Sequence, residues 1–201
     1  MLRNVRPGGV EVKGDHGMTG GKPLRGSSYE STRPQAPAWS SPSIPMKLVS
    51  LLSERRVLPE MISETHWDAL AELVDHLIST GHVESGRRAD ILDALHAREE
   101  QVSTGIGHGV AIPHCYCERV EEPVAVLGRS PGGIGFESCD NAPVHFVILI
   151  IVPKSQPHAH LQTLASIARL FSQCEVREKM TEAVTAGDLI RALGKCEERD
   201  A

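Results

Sequence analysis

Val144-His145-Phe146-Val147-Ile148-Leu149-Ile150-Ile151-Val152 is the stretch that decides the fold. From Phe146 onward every residue is apolar, so the segment has no polar face to turn toward water. That pattern belongs to a strand covered on both sides. It is far shorter than the roughly 20 residues a membrane span requires. Downstream, Pro157 opens a helix whose inward stripe is Leu161, Leu164, Ala165, Ala168 and Phe171. Two short helices, near residues 175–185 and 187–196, follow. Upstream, Val124–Leu127 reads as another strand. Val110-Ala111-Ile112 reads as a short one that Pro113 brings to an end. Ser103-Thr104-Gly105-Ile106-Gly107-His108-Gly109 reads as a loop, since alternate glycines reach backbone angles other residues avoid. Before it, a helix from Arg87 to Glu100 turns Ile91, Leu92 and Leu95 inward. An earlier helix after Ser63 carries Leu70, Leu73, Val74, Leu77 and Ile78 at helical spacing and stops near Gly81. Helices interleaved with strands predict an α/β sandwich.

The composition changes near Met46. Residues 1–45 hold seven Gly, six Pro and six Ser with no apolar period, which predicts a disordered N-terminal tail. A folded domain is expected over residues 46–197. Met46-Lys47-Leu48 also reads as a natural start, in which case the tail is an over-extended translation. The tail carries six Lys or Arg against three Asp or Glu, leaving 15 against 23 in the remainder. An acidic domain of this kind argues against nucleic acid as the main partner. Five cysteines are an odd number in a chain too large to need staples, and reduced thiols in the cytoplasm are the expectation. Cys139, Cys174 and Cys196 read as small packing residues, buried or nearly so. The N-terminus lacks the apolar stretch of a signal peptide, and no stable membrane insertion is expected.

Several chemistries are missing from the text of the sequence: a phosphate-binding G-x-x-x-x-G-K-[ST] loop, a dinucleotide-type glycine spacing, a G-x-S-x-G elbow and an H-E-x-x-H zinc helix. Histidine remains. His114 follows Gly-Val-Ala-Ile-Pro at the expected end of a strand. Residue by residue it reads first as an ordinary hydrogen-bonded loop histidine. The second reading is a nucleophile, because a neutral imidazole has a free lone pair near pH 7. His160 lies in the first turn of the Pro157 helix, where the dipole favours a neutral ring. Arg98 ends the helix before the glycine loop, placed either to satisfy helix carbonyls or to meet a phosphoryl group. His114, Cys115 and Cys117, with His108, offer a third reading as metal ligands, though Cys-x-Cys without a second spaced pair matches structural zinc sites poorly.

The string Ser103-Thr104-Gly105-Ile106-Gly107-His108-Gly109-Val110-Ala111-Ile112-Pro113-His114 closely resembles the signature of the fructose/mannitol-type enzyme IIA domain of the bacterial phosphoenolpyruvate-dependent phosphotransferase system, a family that includes the nitrogen-regulatory IIA proteins. The resemblance runs over roughly residues 46–195 and takes in Leu95-His96-Ala97-Arg98-Glu99 and His160-Leu161-Gln162-Thr163-Leu164-Ala165. It implies a mixed β-sheet flanked by helices. It implies that His114 is phosphorylated by an HPr-like protein, without a cofactor, and hands the group to a IIB partner or holds it as a regulatory mark. His160 would orient the ring, Arg98 would supply countercharge, and Gly105, Gly107, His108 and Gly109 would cradle the phosphate. The alternative is a regulatory module of the same fold that binds a protein without phosphotransfer. No IIB or IIC segment accompanies the domain here, which favours the nitrogen-branch role over sugar uptake. An apolar rim of Ile106 and Ile112 is expected to help a partner dock. Two positions depart from the pattern: His108 stands where the family often has Asn, and Cys115 where it commonly has Gly.

Overall fold

A computed structural model describes residues 47–118, 120–154 and 157–199, with Pro157–His160 as backbone only. The expected tail at 1–45 lies outside the described residues. The described residues begin with a single helical turn, α1 (Leu48–Leu51), and a two-residue strand, β1 (Val57–Leu58). Helices α2 (His66–Ser79) and α3 (Arg88–Glu99) follow. Thr65 caps α2: its hydroxyl oxygen accepts the Asp68 N–H at 3.2 Å and its hydroxyl donates to the Asp68 carboxylate at 2.7 Å. Then come β2 (Gly105–Gly107), β3 (Val110–Ala111), β4 (His114–Cys117), β5 (Val124–Ile134) and β6 (Val144–Pro153). Helices α4 (Pro157–Ser172), α5 (Cys174–Glu182) and α6 (Ala186–Arg199) complete the described chain. None of the described helices is long and apolar enough to cross a membrane.

The sheet is mixed, in the order β1-β5-β6-β3-β2, with β4 also paired to β6. β5 runs antiparallel to β6, while β3 and β4 run parallel to it one after the other along its other edge. β6 is buried along its length, as its sequence requires. Phe146, Ile148, Ile150 and Val152 pack with Leu170, Phe171, Met180, Leu189 and Leu193 of α4–α6. Val147, Leu149 and Ile151 pack with Leu70, Leu73, Leu77, Ile91 and Leu95 of α2 and α3. Each such side chain contributes about 1.5–3 kcal/mol by leaving water, so the two-sided burial of β6 holds both helical layers.

Several local expectations are corrected. The glycine stretch is a hairpin rather than an irregular loop: Gly105 pairs with Ala111 and Gly107 with Val110 across a bulge. Positive φ at Gly107, His108 and Gly109 makes its turn. His114 opens β4 instead of ending a strand, because Pro113 has no N–H to continue the ladder and splits the outer strand in two. β5 continues past Leu127 to Ile134 despite Ser130, Pro131, Gly132 and Gly133, with a register shift absorbing the breakers. Of the cysteines read as packing residues, Cys196 is buried, but Cys139 and Cys174 are exposed. On α4, Leu161 and Ala165 of the expected inward stripe are exposed, and Ile167 and Leu170 are buried with Phe171 instead.

Gly105 sits so close to the next loop that a Cβ there would lie 2.8 Å from the Ser138 Cα. Backbone cannot swing aside, so Gly105→Ala is expected to cost about 1–3 kcal/mol, read as a lowered midpoint in urea denaturation.

Candidate functional site

Pro113 does more than split a strand. The residue before it, Ile112, points its carbonyl oxygen at the next side chain along, and the Nδ1 of His114 lies 3.0 Å from that oxygen. The ring's other nitrogen, Nε2, accepts a hydrogen bond from the Nε–H of Arg98 at 3.2 Å. Arginine can only donate, so Nε2 carries the lone pair and Nδ1 the proton that goes to the Ile112 oxygen. The neutral tautomer of His114 is thereby set. Arg98 comes from the last turn of α3, and its Nη1 donates to the Val102 carbonyl at 2.8 Å, which ties the guanidinium to the start of the following segment.

His114 is half-buried at the outer edge of the sheet, in register with Ile150 of β6. Burial holds the ring below the usual imidazole value of 6.5, and the Arg98 cation adds to this, while the Ile112 carbonyl and the Glu99 carboxylate pull the other way. The net effect favours the neutral, lone-pair-bearing ring.

The structure brings Arg98 and His114 together. The glycine positions are placed differently. The base of the hairpin lies beside the site, where the Ile112 N–H donates to the Thr104 carbonyl at 3.0 Å. Its turn does not. Val110 pairs with Phe146 and His114 with Ile150, which sets Gly107, His108 and Gly109 about 13 Å or more back along β6 at ~3.3 Å per residue. The His108 N–H donates to Asp140 at 2.7 Å, and its side chain lines a cleft with His145, Cys174 and Arg177. Donors from His108, Ala142 and Ser138 hold the Asp140 carboxyl down at about 2. The ring of His160 lies outside the described side chains, although its backbone stands in the first turn of α4.

Ile112 is buried within the core, so it forms no part of an apolar rim; Ile106 is 37% exposed, and Val102, beside Arg98, is 69% exposed. The metal reading meets the pleat of the strand. Successive residues point to opposite faces, and Cys115 packs under the sheet with Val147 and Leu149 on the α2–α3 side. Among the described residues no three His, Cys, Asp or Glu side chains are gathered as metal ligands. Residues that sequence reading passed over are Thr104, Glu99 and the Ile112 carbonyl; their hydrogen bonds depend on the hairpin register, which the text of the sequence does not state.

This arrangement suits covalent chemistry at a histidine. The family model for the phosphoenolpyruvate-dependent sugar phosphotransferase system, EIIA 2, matches residues 50–196, and the chain belongs to that family. It is 34% identical over 139 residues to the fructose-specific EIIA component of Haloferax volcanii, covering 69% of this chain and 84% of that protein. The crystal structure of nitrogen regulatory protein IIA-Ntr from Neisseria meningitidis superposes with a TM-score of 0.65 at 27% identity, covering 72% of this chain and 97% of that one. The Escherichia coli mannitol IIA, solved in complex with its phosphorylated IIB, shares the fold at a TM-score of 0.60 and 20% identity, covering 72% and 97%.

A ring whose value in the folded state lies below the unfolded one binds fewer protons when folded. His114 therefore lowers stability as pH falls beneath 6.5, and adds no further loss once the folded ring is also protonated. An NMR titration is expected to place the His114 midpoint below 6.5 and to move it upward in Arg98→Gln, where the facing cation is gone. An unmoved midpoint would contradict the pairing.

Proposed function

We propose that the protein is a phosphohistidine carrier, in which Nε2 of His114 takes a phosphoryl group from the phosphohistidine of an HPr-like protein. The observation that carries this reading is the pair of hydrogen bonds on one ring, Arg98 on Nε2 and the Ile112 carbonyl on Nδ1. As the Nε2 lone pair bonds to phosphorus, the bond from phosphorus to the donor imidazole breaks and the electron pair returns to that ring. No proton has to leave His114: Nδ1 keeps its hydrogen, and the Ile112 oxygen that accepts it stabilises the positive charge growing on the ring. Arg98 gives up Nε2 to the incoming group and turns its remaining N–H donors on the phosphoryl oxygens.

Exchange between two imidazoles is nearly balanced in energy, so alignment and countercharge carry the catalysis. The phosphoryl group adds about −1.5 to −2 of charge, which an acidic domain must offset locally. Arg98 is the cation in place, and His160, by its position in the family signature, is the second group expected to meet the phosphate. The hairpin turn Gly107-His108-Gly109 lies about 13 Å or more back along β6, which counts against its cradling role. The carrier works in the cytoplasm and passes the group to a IIB protein or keeps it as a regulatory signal. The likeness to a fructose-specific component and to a nitrogen regulatory protein supports both outputs.

Incubation with phosphoenolpyruvate, enzyme I and HPr is expected to give an acid-labile, base-stable phosphate that is lost in His114→Ala. Label that survives in that variant, or no label with a competent donor, would refute the reading. Arg98→Ala is expected to slow transfer by about 100-fold, the scale of losing one preorganised charge donor, while its urea midpoint stays near wild type.

A further inference from the structure

Glu99 is the only acidic or basic side chain among the described residues to be buried outright, at 6% exposure. Burying a carboxylate is costly even when it is well partnered, so its place one residue after Arg98 requires a reason. Both of its oxygens are taken by Thr104: Oε1 accepts the backbone N–H at 2.8 Å and Oε2 accepts the hydroxyl at 2.6 Å. Thr104 stands at the hairpin base, and its own carbonyl accepts the Ile112 N–H at 3.0 Å. Ile112 in turn offers its carbonyl to His114 Nδ1 at 3.0 Å.

We propose that Glu99 is a positioning residue for phosphoryl transfer: by clamping Thr104 through both backbone and side chain, it fixes the Ile112 carbonyl and so holds His114 in the tautomer and orientation that put the lone pair on Nε2. The last turn of α3 then grips the ring at both nitrogens. Arg98 reaches round the sheet edge to Nε2 directly, and Glu99 acts on Nδ1 through Thr104 and Ile112. The Glu99 charge also opposes the effect of Arg98 on the ring, keeping the lone pair basic. This role rests on the phosphocarrier reading.

The test uses the full chain with 15N-labelled histidine, comparing wild type with Glu99→Ala and Glu99→Gln. Wild type is expected to show the Nδ1–H signature for His114. Glu99→Ala is expected to mix the two tautomers and slow phosphorylation by HPr about tenfold, a fraction of what a displaced reacting group costs. Glu99→Gln keeps an acceptor for the Thr104 amide and a donor for its hydroxyl, and is expected to recover most of that loss. If Glu99→Ala does not fold, Thr104→Val removes one of the two clamps, with a slowing of about threefold and the same shift in signature expected. Wild-type tautomer and rate in folded Glu99→Ala or folded Thr104→Val would overturn the proposal, even if stability had dropped, and so would an Nε2–H ring in the wild type. The tautomer measurement needs no donor protein, so it decides the role of Glu99 even where wild type takes no phosphate, a result that would overturn the carrier reading alone.

Discussion

β6 cannot be exposed on either face. That constraint organises the domain, because a strand apolar on both sides must be covered by helices on both sides, and the neighbouring strands must align to it. α2 and α3 cover one face, α4–α6 the other, and the outer strand runs parallel along one edge. The site is a consequence of how that outer strand fails. Pro113 interrupts it, leaving β3 and β4 each paired to β6 with a gap between them. At the gap the Ile112 carbonyl is turned to a side chain, and His114 begins the next strand beside it. His114 is thus referenced to the most deeply buried strand of the fold while lying half-buried at the margin of the sheet.

Most of the architecture was legible in the sequence because it rests on hydrophobic period. The stripes of α2 and α3 and the unbroken run of β6 state their partner faces, and the structure places them as expected, whereas α4 is turned so that Leu161 and Ala165 face solvent and Ile167 and Leu170 are buried instead. What was not legible depends on pairing. β1 is two residues long and owes its strand character to alignment with β5, so Val57-Leu58 carries no pattern of its own. The hairpin was masked by its glycines, whose local freedom suggests a loop until Gly105 is seen to fit beneath Ser138. At the site, His114 was singled out from the signature string and Arg98 from the Leu95–Glu99 segment before it, and the structure brings the two side chains together. The separation of the hairpin turn from the ring was not legible, since adjacency in sequence conceals the rise of an extended chain: His108 is six residues from His114 and faces another cleft altogether.

Electrostatics in this region work by opposition. A cation alone beside the ring would stabilise an incoming phosphoryl group but also weaken the imidazole that must bond it, because guanidinium disfavours further positive charge on the ring. The buried carboxylate of Glu99, on the same helical turn as Arg98, moderates that effect, and the Ile112 carbonyl does so from the Nδ1 side. A cation, a carboxylate and a carbonyl dipole thus act on one heterocycle, with Nε2 met by the guanidinium and Nδ1 by the carbonyl.

Cys115 supplies a last consequence. Burial raises its thiol to about 12, so at neutral pH almost no thiolate exists there. Sulfur would otherwise be the better nucleophile, and it is adjacent in the chain to the imidazole. Alternation along the strand turns it into the hydrocarbon interior instead. An electrophile arriving at this margin therefore encounters nitrogen and never its neighbour, a chemoselectivity obtained from side-chain direction alone.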